Sequence, residues 1–319
     1  MHDDDGYFDE RVAARYDESA AEMFDPAVVD PVIDLLVEIA GSGRALELGI
    51  GTDRIALPLT QRGVPVHGIE LSKAMVAKLR AKPGGEEISV TIGDFATTTV
   101  DGTFSVAYLV FNTIMNLTTQ AAQVACFRNV AAHLESRGCF VIEVGVPGLQ
   151  RLPPGETIRA FHVSETRWGF DEYDVAIQGL TSHHFEIVDG RVERLSIPFR
   201  YAWPSELDLM AELAGMRLRE RCNGWKREPF TSDSRKHVSV WEKPAVYAAS
   251  SGDIPERWAP GEPDLAWTSE RMTRRSLSAH GDVRRPIVSP NRMVTPNAPV
   301  ANRRRWLRGR GGDGSCASN

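Results

Sequence analysis

The chain has 319 residues, 42% of them apolar, with 37 Lys plus Arg against 43 Asp plus Glu and a formal net charge of −6. That length allows one large or two medium cores, and the lack of an eighteen-residue apolar run argues against a helical membrane span. Cys126, Cys139, Cys222 and Cys316 show no C-x-x-C spacing, which argues against a paired-thiol motif and fits free thiols in a reducing, cytoplasmic setting.

The charge is unevenly spread. Residues 245–319 hold twelve Arg, no Lys and seven acids, while the first 244 residues carry a net −11. An acidic body offers no basic face, so nucleic acid is not an expected partner. The start, Met1-His-Asp-Asp-Asp5, lacks the cationic region of a signal peptide.

In chain order, Tyr7 to Asp17 reads as an amphipathic helix whose tyrosines are either core contacts or a lid. Arg44 to Leu48 is a strand, Asp53 to Arg62 a helix, Val66 to Glu70 a strand and Ser72 to Ala81 a helix. Ile88 to Ile92 and Phe104 to Phe111 are strands, Thr119 to Glu135 is a long helix, and Cys139 to Val146 is a fifth strand. Strands alternating with helices at this spacing predict an α/β fold with a doubly wound, mostly parallel sheet. After Pro147 the period changes to two. Glu172 to His184, Phe185 to Val188 and Arg191 to Tyr201 alternate around Asp189-Gly190, which predicts a small inserted antiparallel sheet at about 160–203. A helix from Ser205 to Ala214 and strands near Met216 to Arg221 and His237 to Glu242 complete the main sheet as an antiparallel edge. The main domain is expected to span 1–244. The Arg-, Pro- and Ser-rich remainder, 245–319, is expected to be a disordered tail, with an Arg-rich tether for an anionic partner as the alternative.

The most informative segment is Arg44-Ala-Leu-Glu-Leu-Gly-Ile-Gly-Thr-Asp-Arg54. Glycines after a strand let backbone approach a ligand, and ligands of doubly wound sheets sit beyond the carboxyl ends of the strands. A dinucleotide fingerprint requires a third glycine where Arg54 stands, and Glu47 ahead of Gly49 would repel a phosphate but suit a cationic cofactor. Glu70 follows Glu47 by 23 residues and Asp94 follows Glu70 by 24, one β-α unit each.

This pattern resembles the class I S-adenosylmethionine-dependent methyltransferases, whose first motif is E/D-x-G-x-G-x-G. The resemblance implies a Rossmann-like methyltransferase fold and S-adenosyl-L-methionine as cofactor. By likeness, Glu47, Gly49 and Gly51 form the first motif. Glu70 meets the ribose hydroxyls with Leu71 against the adenine, and Asp94, beside Phe95, accepts from the adenine amino group. Asp53 replaces the third glycine. It could cap the following helix, but it adds negative charge near the cofactor carboxylate.

The spacing of Tyr7 and Tyr16-Asp17, the segment Phe111-Asn-Thr-Ile-Met-Asn116-Leu117 and the inserted sheet are together similar to sugar N-methyltransferases of antibiotic biosynthesis. The likeness implies that Tyr16 contacts the cofactor and that Tyr7 and Asn116 line the acceptor site, with Asn116 standing where that family has a His. The inserted sheet is expected to wall the acceptor site or form a homodimer contact.

The expected activity is methyl transfer to N or O of a small molecule, mainly by positioning. The catalytic candidates are Tyr7, Asn116 and His183, with His184 and the mid-strand acid Glu143 ranked lower. No metal site is expected, because His183 and His184 are adjacent on a strand and point to opposite faces. The alternatives are a non-catalytic S-adenosylmethionine-binding protein and a nicotinamide-dependent oxidoreductase.

Overall fold

The computed structural model describes residues 6–245, so the tail expected from 245 onward lies almost wholly outside the described residues. Two helices precede the first strand. Helix α1 (Glu10–Ser19) is capped by Asp9, whose Oδ1 accepts the Val12 N–H at 3.0 Å. Helix α2 (Pro26–Ala40) has Asp25 as its cap and Pro26 in its first turn, and it ends at Gly41 with a left-handed φ of 56°. It buries Val29, Val32, Ile33, Leu35 and Leu36. The expected elements do not include this helix, which carries Pro31 in its interior.

The core sheet then alternates with helices. Strand β1 (Ala45–Leu48) leads to α3 (Ala56–Gln61), and β2 (Val66–Glu70) leads to α4 (Lys73–Arg80). Strands β3 (Ser89–Ile92) and β4 (Phe104–Leu109) follow, then α5 (Gln120–His133) and β5 (Leu134–Gly145). Every residue of β1 and β4 is buried. Strands covered on both faces lose alternation and read as continuous apolar runs, which is why the sequence marks them clearly.

The inserted sheet comprises β6 (Ile158–Val163), β7 (Arg167–Asp174), β8 (Gly179–Val188) and β9 (Arg191–Arg200), antiparallel in the order β6-β7-β8-β9. Asp189 and Gly190, with φ of 50° and 74°, make the left-handed turn expected of Asp-Gly. The single run expected over Glu172 to His184 is instead two strands parted by a turn at 175–178. Val175 and Ile177 are 67% and 68% exposed there, so apolar residues disguise the turn.

Helix α6 (Pro204–Leu213), β10 (Arg217–Cys222) and β11 (Lys236–Glu242) finish the fold. The main sheet runs β10-β11-β5-β4-β1-β2-β3. Strands β1 to β5 pair in parallel, β11 is antiparallel to β5, and β10 is antiparallel to β11. The edge strand β10 therefore runs with the parallel set, so β11 alone is reversed. Chain order turns back between β1 and β4, the switch point at which such sheets open a crevice at their carboxyl ends. Among the described residues no helix is long and apolar enough to cross a membrane.

Candidate functional site at the carboxyl ends of the strands

The turn after β1 needs backbone that most residues resist. Gly49 and Gly51 take φ of 68° and 59°, and a Cβ on Gly49 would come within 2.8 Å of Thr113 Cγ2. The turn is held by its neighbour strand. Gly49 N–H donates to the Ile69 carbonyl at 2.8 Å, and Gly51 N–H donates to Glu70 Oε2 at 2.8 Å. Glu70 Oε1 accepts the Ser72 N–H at 3.0 Å. Ser72 in turn caps α4 through the Met75 N–H and donates its hydroxyl to the Phe8 carbonyl. One carboxylate thus orders the glycine turn and the start of the next helix together.

Glu47 lies beneath the turn, 6% exposed, and accepts the Tyr108 hydroxyl at 2.9 Å. Burial pushes its pKa up to about 8, against the downward pull of the Tyr108 hydrogen bond and of Arg54. Asp94 is exposed at the end of β3, with Oδ1 accepting the Ala96 N–H at 2.8 Å. Leu71 and Ile92 are 45% and 44% exposed, so apolar surface is open beside Glu70 and Asp94. Phe95 is 8% exposed and packs in the core, while its ring edge would lie 3.9 Å from a Cβ on Gly49.

Helix α1 reaches this turn. Phe8 and Tyr16 meet edge to face at 6.2 Å, and Thr52 Oγ1 donates to Asp17 Oδ1 at 2.5 Å. The Tyr16 phenol is pushed up by burial, while Arg54 favours its ionised form and Glu70 and Asp17 oppose it. Asp53 has φ of 95°, the region that favours glycine. Helix α3 begins at Ala56 with Ile55 as its cap and no side-chain cap bond, so the capping role expected of Asp53 is not realised. Its carboxylate pairs with Lys82 at 2.8 Å, which offsets the charge expected to oppose the cofactor.

At the end of β4, Phe111 and Asn112 are both left-handed, with φ of 58° and 63°. Two consecutive non-glycine residues in this region mark strain held by surroundings. Glu143 supplies them, accepting the Phe111 N–H on Oε2 at 3.2 Å and the Asn112 N–H on its carbonyl at 3.1 Å. Its other oxygen pairs with Lys236 at 2.9 Å. Glu143 is therefore engaged in shaping this turn. Sequence patterning had no signal for it, since left-handed Phe is rare. Phe111, Glu143, Arg54 and Trp225 line a cavity of about 660 Å³ bounded by α2 and the carboxyl ends of β4 and β5.

Asn116 ends the 3-10 turn Thr113–Asn116 and donates its amide to the Thr113 carbonyl at 3.1 Å. Tyr7 lies three residues before the start of α1 and is half-buried. His183 is buried within the inserted sheet. Tyr173, Leu180 and Phe199 share the face of the inserted sheet that packs on Met115, Leu149 and Leu152. Strand alternation then turns His183 to the other face, where Phe170, Ser196 and Glu172 surround it. His184 takes the inward face, hydrogen-bonded to Ser182 at 3.1 Å, and burial beside Arg167 lowers its pKa. Among the described residues no group of three or more His, Cys, Asp or Glu could hold a metal ion.

Among known proteins, the family described as a methyltransferase domain matches residues 45–138. The cypemycin N-terminal methyltransferase of Streptomyces sp is 25% identical over 238 residues, covering 72% of this chain and 97% of that protein. The CcbJ methyltransferase of Streptomyces caelestis, a solved structure, is 33% identical with a TM-score of 0.63, covering 71% of this chain and 96% of that one. CalS10, an amino pentose methyltransferase from Micromonospora echinaspora solved with S-adenosylmethionine bound, shares the fold at 21% identity and a TM-score of 0.55, covering 71% and 96%.

Proposed function

The chain belongs to the S-adenosylmethionine-dependent methyltransferase family, and on that premise we propose that it moves a methyl group to an amine nitrogen of a small molecule. The observation that supports the cofactor assignment is the placement of Glu47, Glu70 and Asp94 at or just past the carboxyl ends of the adjacent parallel strands β1, β2 and β3, with α1 packed on the same turn. The residues present fit S-adenosylmethionine. A buried acid suits a cation, two left-handed glycines keep the turn free of Cβ atoms, and open apolar surface at Leu71 and Ile92 suits a purine. Glu70 would meet the ribose, Leu71 and Phe95 the adenine ring, and Asp94 the adenine amino group. Glu47, Gly49, Gly51 and Tyr16 would enclose the methionine end.

S-adenosylmethionine, when bound, supplies a methyl group already activated for displacement. The chain's share is then alignment, which alone can be worth roughly 7–11 kcal/mol. Tyr7 and Asn116 act as hydrogen-bonding guides for an acceptor that arrives neutral. Two observations support nitrogen over oxygen. The cypemycin enzyme is by its name an N-terminal methyltransferase. Of the acidic and basic candidates, Glu143 is ion-paired and His183 lies on the face of the inserted sheet opposite Tyr173, Leu180 and Phe199. The glycine turn with Arg54 at its end weighs against the nicotinamide alternative, as does the family itself.

Under this reading, Tyr7→Phe lowers kcat about tenfold, or about 1.4 kcal/mol, without abolishing turnover. At saturating cofactor, the pH dependence of kcat/KM for the acceptor follows the pKa of the acceptor amine across a series of amines. A profile that keeps one enzyme-derived pKa whatever the acceptor would move the assignment to oxygen and a general base, with His184 as the next residue to vary.

A further inference from the structure

Helix α1 is joined to the glycine turn by a lysine that carries no motif. Lys82 lies just past α4. Its Nζ is 2.8 Å from Asp53 Oδ1 and 2.6 Å from Asp17 Oδ2, and it donates to the Thr52 carbonyl at 2.7 Å. The Phe24 ring lies 5.1 Å away on its remaining side. Thr52 closes the circuit by donating its hydroxyl to Asp17 Oδ1. The Asp53 side chain is 4% exposed, Lys82 27% and Asp17 41%, and Asp53 Oδ2 is buried with no hydrogen-bond partner. A charged residue in a glycine-type conformation, buried and half-satisfied, persists only where its surroundings hold it.

We propose that Asp17, Lys82 and Asp53 form a latch that holds α1 closed over the cofactor turn. Lys82 is then a positioning residue that sets how fast the cofactor enters and leaves. The part about the cofactor rests on the function proposed above; the latch itself does not. Apolar packing of Ala13 and Tyr16 also seats α1, but the other ion pairs on it are weaker and farther from the turn. Arg15 reaches Glu186 at 3.3 Å and Arg11 reaches Glu193 at 3.9 Å, all four side chains being well exposed, where such pairs contribute little. The Phe8 carbonyl on Ser72 anchors only the segment before the helix. Asp53 at the third glycine position thus has an explanation within this chain. It is the fixed end of the latch, and Lys82 cancels the charge that would otherwise face the cofactor carboxylate.

Hydrogen exchange of the cofactor-free full chain, read by mass spectrometry over 10–19, tests the latch without reference to catalysis. Lys82→Met and Asp17→Ala are each expected to speed exchange there about tenfold, with α5 and β4 unchanged. The double variant should be no faster than Asp17→Ala alone, because the lysine acts on α1 through Asp17. Should Lys82→Met fail to fold because Asp53 is left charged and buried, Asp17→Ala and the pair Lys82→Met with Asp53→Asn serve in its place. Release of labelled S-adenosylhomocysteine is expected to quicken by a similar factor in the same variants. Native exchange over 10–19 in folded Asp17→Ala and Lys82→Met would overturn the latch. Faster exchange without any binding of S-adenosylhomocysteine would keep the latch and overturn the cofactor assignment.

Discussion

Glu70→Ala is expected to lower the affinity for S-adenosylmethionine about a hundredfold or more. Its carboxylate accepts the Gly51 and Ser72 N–H groups, so its removal strips the glycine turn and the start of α4 of a shared acceptor. Hydrogen bonds to a charged group each contribute about 1.5–3 kcal/mol, and buried donors left unpaired bear a desolvation cost as well. The proposed contact with the ribose adds to this. The loss is therefore expected to be larger than for Asp94→Ala, whose carboxylate accepts the Ala96 N–H of a local turn. Glu70→Gln keeps one acceptor oxygen and should fall between native and alanine. Calorimetric titration of the folded variants checks this; affinity within threefold of native for Glu70→Ala would remove Glu70 from the cofactor site.

Glu47→Gln is expected to raise stability at alkaline pH and to leave it unchanged in acid. The carboxyl of Glu47 has a usual value of 4.5 and is pushed to about 8 in the fold by burial. Between those values the folded chain holds a proton that the unfolded chain has released. The stabilisation is therefore fully present below about pH 4.5 and is lost as pH rises through about 8. A tenfold change in proton affinity is worth about 1.4 kcal/mol, so the native chain and Glu47→Gln should differ by a few kcal/mol near pH 9. Denaturant melts at several pH values test this. A cation placed beside Glu47 would favour its ionised form. Cofactor binding near neutral pH should then release up to about one proton, seen as a binding enthalpy that varies with the buffer, and Glu47→Gln should abolish the variation.

How much was legible in the sequence depended on where the determining contacts lie. The β1 to β5 repeat could be read because fully buried strands are apolar runs ended by glycine and an acid, all local features. The positions of Glu47, Glu70 and Asp94 followed from the same repeat. Helix α2 is not announced by the sequence, because Pro31 stands at its sixth position, past the first turn where proline is readily tolerated. Strand β6 is largely exposed, and its apolar residues Ile158, Phe161 and Val163 do not alternate cleanly toward a core. Tertiary partners were invisible altogether. Nothing near Asp53 in the chain announces Lys82, nothing near Glu47 announces Tyr108, and nothing near Phe111 announces Glu143. The orientation of His183 turned on where the β7–β8 turn falls, which exposed Val175 and Ile177 obscured.

Equilibrium binding of labelled S-adenosylhomocysteine to the full chain, with a nicotinamide dinucleotide as competitor, tests the central claim most directly. The expected result is saturable binding at one site per chain, untouched by the dinucleotide and lost in Glu70→Ala. Absence of binding, or displacement by the dinucleotide, would contradict it.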